Sequence, residues 1–319
     1  MSELHQPTFQ AILAARQRLA GTIVRTPLIC LNLEDAPAEI YLKLENLQPT
    51  GSFKVRGAGN ALLSADPAQL QDGVWTASAG NMGQALAWYA RRLGIACTVV
   101  VPDDAPAVKV DSIRRQAAGV IKVPFITYQT IQRVGDWAEM KGRFVHPFAD
   151  EAVMAGNGTL GLEILEDLPQ VDTVLVPYGG GGLSCGIAAS IKTTRPDVRV
   201  EAVEVATAAP LTASLSAGRP VEVPYQSSFV SGMGAPSVFP QMWPLASRLL
   251  DAARAVPLAG VAAAIRWLAE RQHVIAEGAG AVALAAALAG PAGKKVVCVV
   301  SGGNIDAAQL IVILQGELP

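Results

Sequence analysis

Charge is scarce in this chain: of 319 residues only 16% are Asp, Glu, Lys or Arg, and 25 basic residues stand against 27 acidic ones. With no basic block and no interleaving of basic and aromatic residues, nucleic acid and anionic membrane surfaces are excluded as partners. The three histidines (His5, His146, His273) are too scattered to build a histidine metal centre. The four cysteines (Cys30, Cys97, Cys185, Cys298) stand singly, without a C-x-x-C pair. That spacing argues against a zinc site or a disulfide framework and predicts buried, reduced thiols in a cytoplasmic protein. No apolar run reaches the ~18 residues of a membrane span. Met1 to His5 lack the basic and apolar regions of a secretory signal. Internal repeats and low-complexity tracts are missing too.

What is present is apolar: 51% of the residues are hydrophobic, enough for a sizeable core. Helical periodicity runs from Phe9 to Leu19, after Lys54, from Leu86 to Leu93, and over about 108–118, 126–140 and 151–168. Apolar runs at 40–44, 73–77, 97–101, 119–123, 174–176, 198–205 and 296–300 read as strands. Strands alternating with helices of ten or more residues predict an α/β fold with mostly parallel sheets. The span 215–244, rich in Pro, Gly and Ser, is the least regular stretch and is expected to cross the active-site face. The nearly all-apolar run 279–288 reads as a buried helix.

Three turns then stand out, each at the C-terminal end of a predicted strand: Ser78 to Asn81, Gly179 to Gly182, and Ser301 to Asn304. In open α/β sheets ligands bind at that edge. Four glycines in a row before a helix let backbone N–H groups converge on an anion. The run lacks the Gly-Lys-Ser/Thr of a Walker loop, and contiguous glycines at mid-chain suit a single phosphate better than a dinucleotide. Earlier, the stretch Gln48-Pro49-Thr50-Gly51-Ser52-Phe53-Lys54-Val55-Arg56-Gly57 sets a lysine just after a turn. A lysine is far more often a surface residue than a buried one. Held off solvent, however, it would have the lowered pKa that Schiff-base chemistry requires. A phosphate cradle beside such a lysine suggests pyridoxal 5′-phosphate.

The motifs at 49–57, 77–84, 179–183 and 301–306 follow one another as they do in a known group. The chain resembles the fold-type II pyridoxal-phosphate enzymes, in particular the threonine/serine dehydratases and serine racemases, with further echoes at 151–167 and 276–281. The resemblance implies two open, mostly parallel α/β domains of tryptophan synthase β-like fold with the cofactor between them. Residues 1–65 and 151–319 would form the large domain and 72–150 the small one. It implies that Lys54 holds the cofactor covalently, with Phe53 packed on its ring and Gly232 among the cofactor-binding residues. Asn81 would bond the ring hydroxyl, Gly179, Gly180, Gly181, Gly182 and Leu183 the phosphate, and Ser301 the pyridine nitrogen. The substrate would lie on Ser78, Ala79, Gly80, Asn81 and Met82, its carboxylate on the backbone amides of Ser78, Ala79, Gly80 and Asn81. The implied activity is elimination of water from an L-3-hydroxy amino acid, giving a 2-oxo acid and ammonia, in a homodimer; the alternative is an amino-acid racemase.

Departures from the group refine this. Racemases of the group carry a second serine where this chain has Ala79, and a methyl cannot carry a proton, so the dehydratase reading gains. At the cation site of some relatives, Glu204 is present but its partner acid is Pro210, so no metal is expected. Met82 stands where many relatives have histidine; packing is the simpler role, a wall beside the substrate the other. Together with the 232–236 stretch, Phe239, Met242 and Trp243, it predicts a roomy apolar pocket. Such a pocket would take L-threonine at least as well as L-serine, and bulkier 3-hydroxy amino acids as well.

Overall fold

The computed structural model describes residues 4–290 and 292–319. Residues 1–3, part of the segment read for a leader, lie outside them. Among the described residues, ten strands fall in two sheets. In chain order they are β1 (Leu28–Cys30), β2 (Glu39–Leu44), β3 (Val74–Ala77), β4 (Cys97–Pro102) and β5 (Gly119–Val123), followed by β6 (Arg143–Phe144), β7 (Thr173–Pro177), β8 (Arg199–Val205), β9 (Ala252–Val256) and β10 (Lys295–Val300). The larger sheet has the order β1-β2-β10-β7-β8-β9, and the smaller, β5-β4-β3-β6, draws every strand from residues 74–144. All these pairings are parallel except the edge pair β1–β2, where Leu28 lies opposite Lys43.

Helices connect and cover the sheets. The first six are α1 (Phe9–Leu19), α2 (Lys54–Leu63), α3 (Asn81–Leu93), α4 (Ala107–Arg114), α5 (Phe125–Val134) and α6 (Glu151–Asp167). The rest are α7 (Gly182–Thr194), α8 (Pro210–Ala217), α9 (Trp243–Leu249), α10 (Leu258–Arg271), α11 (Gly278–Ala289) and α12 (Ala307–Leu314). The central parallel strands β7, β8 and β10 are Val-rich and buried on both faces, as sheets covered by helices require. Helix α11, almost wholly Ala, Leu, Val and Gly, is buried along nearly its full length. No described helix is long and apolar enough to cross a membrane.

Several boundaries differ from the sequence reading. The helix expected to reach residue 140 stops at Val134, because Gly135 takes the left-handed conformation (φ 74°) that caps it. The one expected over 108–118 ends at Arg114. Strand β6 has only two residues, β9 interrupts its small apolar residues with Arg254, and helices α8, α9 and α12 span seven or eight residues, so none shows a clear period in the sequence. The irregular span is narrower than expected, because α8 and α9 take up its two ends. Of the four thiols only Cys185 and Cys298 are buried; Cys97 is half-buried, and Cys30, at the end of edge strand β1, is exposed.

A buried ionic cluster anchors α2. Arg56 is fully enclosed and bonds both oxygens of Glu45 at 2.8 Å. Its other edge meets Glu163 on α6 at 2.6 and 3.0 Å. Lys43 Nζ, equally buried, is 2.8 Å from the second oxygen of Glu163, and Thr26 Oγ1 donates to Glu45 at 2.6 Å. Burying such charges is tolerable only because nearly every donor and acceptor is matched. The cluster fixes the first turn of α2, and with it Lys54, two residues from Arg56.

Candidate active site

Lys54 is the first residue of α2, and Phe53 just before it makes no side-chain cap. The turn ahead of it is zipped to the turn after β10. Phe53 N donates to Ser301 O at 3.0 Å, Gly303 N donates to Gly51 O at 2.9 Å, and Ser52 bridges Gly302. Lys54 Nζ donates to the Pro147 carbonyl oxygen at 2.6 Å and lies 5.0 Å from the centre of the Phe53 ring. Burial pulls its pKa down to about 8, with the charge of Glu277 opposing the shift. An amine of that pKa is neutral and nucleophilic in about one molecule in ten at pH 7, far more often than an exposed lysine.

The glycine loop follows β7. Gly181 has φ 89°, and helix α7 begins at Gly182. A Cβ on Gly180 would strike the ring of Phe148, and one on Gly179 would lie 3.0 Å from Gly232 O. Among the described residues, the amides of Gly180 to Leu183 have no protein acceptor. They converge at the positive end of a 13-residue helix, the arrangement that suits a phosphate. Tyr178 Oη, buried without a partner, would lie 3.1 Å from a Cβ on Gly181. Ser52 Oγ is likewise buried and unpartnered, two residues before Lys54. Amide donors and orphaned hydroxyls beside a lowered-pKa lysine fit a phosphorylated aldehyde.

The remaining expected residues lie on neighbouring segments. Ser301 is buried, and its Oγ donates to Ala279 O at 3.3 Å. A Cβ on Gly232 would lie 3.2 Å from that of Ala279, so Gly232 sits between Ala279 and the glycine loop. Asn81 opens α3 directly after the turn Ser78-Ala79-Gly80, where Gly80 N donates to Ser78 Oγ at 3.3 Å. Its Nδ2 donates to Glu277 Oε1 at 2.6 Å, and its Oδ1 accepts from Asn304 Nδ2 at 2.8 Å.

Met82 is not brought to the cleft. It is 1% exposed and packs in the core between α2 and α3 with Val55 and Leu86. Met242 is fully buried beside Gly181, and Phe239 packs on Phe148 with ring centres 4.5 Å apart. These apolar side chains support the glycine loop from behind, so the roomy apolar pocket does not form from them. The cavity beside the 232–236 stretch, about 120 Å³, is lined by hydroxyls and amides, among them Thr207, Gln226, Ser227, Ser228 and Ser231. Glu204 is buried and structural: its oxygens accept from Leu211 N, Thr212 N and Thr212 Oγ1 and so cap α8, whose first residue is Pro210. Among the described residues no three His, Cys, Asp or Glu side chains are grouped as metal ligands.

Three features of the site were not read from the sequence. One is the 146–148 turn: His146 Nδ1 accepts from Phe148 N and Ala149 N at 3.3 and 3.0 Å. Its Nε2 therefore donates to Gln132 O at 3.0 Å, and burial holds the ring neutral, with its pKa pulled down to about 4. Another is Glu277, whose carboxylate is desolvated enough to raise its pKa and faces Asn81 and the Lys54 charge. It lies within the 276–281 echo, an acid standing directly before the all-apolar helix, but no role for it is legible there. The third is Asn304, visible in the 301–306 motif but without a role until its contact with Asn81 is seen.

The family profile described as pyridoxal-phosphate dependent enzyme matches residues 19–302. An L-threonine ammonia-lyase of Thermotoga maritima is 41% identical over 304 residues, covering 94% of this chain and 76% of that protein. The catabolic L-threonine dehydratase TdcB of Escherichia coli is 38% identical over 94% of this chain and 93% of its own. Among solved structures, maize serine racemase superposes with a TM-score of 0.89 at 31% identity, over 96% of each chain. The chain belongs to the family of pyridoxal-phosphate dependent enzymes.

Proposed function

We propose that this protein is a dehydratase (ammonia-lyase) of L-3-hydroxy amino acids, acting on L-threonine and L-serine. One observation carries the reading: the buried Lys54 amine bonds the turn at Pro147, whose neighbour Phe148 packs on the glycine loop opening α7, and its charge faces Glu277, which holds Asn81 at the start of α3. One amine is thus linked to two helix N-termini able to hold anions. Pyridoxal 5′-phosphate, when bound, supplies the electron sink that makes the substrate Cα proton removable. Residues Gly179 to Leu183 would hold its phosphate, Lys54 its aldehyde carbon, Asn81 its ring oxygen and Ser301 its ring nitrogen, with Phe53 and Gly232 flanking the ring. A serine hydroxyl there does not protonate the nitrogen fully, which favours loss of a β-substituent over long-lived carbanion chemistry. The amine of Lys54 takes the Cα proton. Amides of the Ser78-Ala79-Gly80-Asn81 turn hold the substrate carboxylate. The β-hydroxyl leaves as water, the proton it takes up balancing the one Lys54 removes from Cα, and the released enamine is hydrolysed by a second water to the 2-oxo acid and ammonia.

Support for elimination over racemisation lies at Ala79, which offers no second proton carrier, and in the L-threonine ammonia-lyase and L-threonine dehydratase activities named for relatives 38–41% identical. The reading also includes a cytoplasmic homodimer in which residues 72–150 close as a unit on 1–65 and 151–319. The deciding assay follows 2-oxo acid release from L-threonine and L-serine alongside chiral analysis of the recovered substrate. Oxo acid with no D-isomer is expected; D-isomer as the main product overturns the reading.

A further inference from the structure

An asparagine side chain offers two acceptor sites on its oxygen and two N–H donors, and either end can face either way. At Asn81 that freedom is removed. Its oxygen accepts from Asn304 Nδ2 at 2.8 Å, and Asn304 also donates to Thr50 O at 2.9 Å. One Asn81 N–H goes to Glu277 Oε1 at 2.6 Å. Turning the amide over would put its oxygen against a carboxylate oxygen and its NH₂ against the NH₂ of Asn304. Two repulsive contacts would replace two hydrogen bonds. Glu277 is itself fixed: its backbone N–H donates to Gly302 O at 3.0 Å, and its carboxylate occupies the space that a Cβ on Gly302 would need. Asn81 begins α3 on the smaller sheet, while Glu277 and Asn304 belong to segments flanking α11 and β10 on the larger one. The set therefore spans the cleft between the sheets.

We propose that Glu277 is a positioning residue that fixes the amide orientation of Asn81, presenting its free N–H to the cofactor ring oxygen, so that the site selects the anionic form of that oxygen. The proposal rests on the cofactor placement given above. With one N–H on Glu277 and one acceptor site of its oxygen on Asn304, Asn81 keeps one N–H and one acceptor site, and of these only the N–H can bind an oxyanion. A donor stabilises an oxyanion more than the corresponding hydroxyl, because hydrogen bonds to charged groups are the stronger ones. Glu277 acts through Asn81.

The test uses wild-type enzyme, Glu277→Ala, Glu277→Gln and Asn304→Ala. Cofactor affinity is measured by titrating the cofactor-free proteins, and the visible absorption band of the bound cofactor is followed across neutral pH. Glu277→Ala is expected to weaken affinity by about tenfold, as loss of a hydrogen bond to a charged group does, and to move the titration midpoint of the band upward. Glu277→Gln keeps an acceptor for Asn81 and should restore both quantities to near wild type. Asn304→Ala should move both in the same direction as Glu277→Ala; it lies on an exposed turn and keeps the test valid should Glu277→Ala unfold the chain. Wild-type affinity and an unshifted midpoint in folded Glu277→Ala or in Asn304→Ala would overturn the proposal and leave the cofactor site standing. Failure of the wild type to bind the cofactor would overturn both.

Discussion

Lys54 Nζ donates to the carbonyl oxygen of Pro147 at 2.6 Å, a contact that joins the start of α2 to a turn 93 residues away. The neighbours of Pro147 extend the link. His146 fixes the turn through two backbone amides, and Phe148 lies against the glycine loop. The lysine and the proposed phosphate cradle are therefore held by one short segment.

The first prediction concerns the Lys54 amine. In cofactor-free protein its acetylation should titrate near pH 8, because burial disfavours the ammonium form. Exposed lysines should titrate near ~10.4. Competitive labelling read by mass spectrometry separates the two, and a Lys54 midpoint with the rest would refute the burial argument. The folded pKa lies below the unfolded one, so the folded state binds fewer protons between about 8 and 10.5, and this group's contribution to stability rises with pH through that window. Lys54→Ala should abolish turnover with the fold intact.

His146 gives the opposite end of the pH scale. Its neutral ring is required by the two amides it accepts, and its folded pKa of about 4 lies below the ordinary 6.5. The unfolded chain takes up the proton first, so stability should fall as pH drops from about 6.5 to about 4. Urea titrations at several pH values should show that slope in the wild type and a shallower one in His146→Phe. Identical slopes would mean other groups carry it.

Substitution in the glycine loop should act on cofactor affinity. Gly181→Val places a branched side chain at φ 89°, which costs about 1–2 kcal/mol in the left-handed region, and aims it at Tyr178 and Met242. Gly180→Ala drives a methyl into the Phe148 ring. Both should lower affinity in a spectroscopic titration, and wild-type affinity in either would place the phosphate elsewhere.

Removing the guanidinium in Arg56→Ala leaves Glu45 and Glu163 buried without their main partner. A loss of about 3–5 kcal/mol is expected by chemical denaturation. A loss under about 1 kcal/mol would place the Arg56 pair among exposed ion pairs in its energetics.

Chelation should have no effect. Glu204, the one acid at the position where some relatives bind a cation, is engaged by three donors at the start of α8. EDTA should leave turnover unchanged, and activity lost to EDTA and restored by Mg²⁺ or Ca²⁺ would contradict that account.

Local pattern carried the α/β alternation, the strands that proved to be β2–β5, β7, β8 and β10, and the three ligand-edge turns. These features are local because strand and helix periodicity, and the need for glycine where backbone must approach backbone, are written in neighbouring residues. Lys54 and Gly179 to Leu183 were legible for the same reason. Strands β6, of two residues, and β9, Ala-Ala-Arg-Ala-Val, were not, because neither forms an apolar run, and α8 was not, because two helical turns at the edge of a Pro-, Gly- and Ser-rich stretch do not set a period.

What only the tertiary structure decided are pairings between residues far apart in the chain. Asn81 meets Glu277 across 196 residues, and Lys54 meets Pro147 across 93. No spacing rule encodes either contact, since each depends on how two sheets are set against each other. The same applies to Met82 and Met242. Their composition suggested a pocket wall, but a hydrophobic side chain stabilises the fold wherever it escapes water, and packing sent both into the core. Sequence determined which chemical groups the protein has and on which edge of the sheets they lie; the packed structure determined which of them touch, because burial, and with it the pKa and orientation of each group, is a property of the assembled chain.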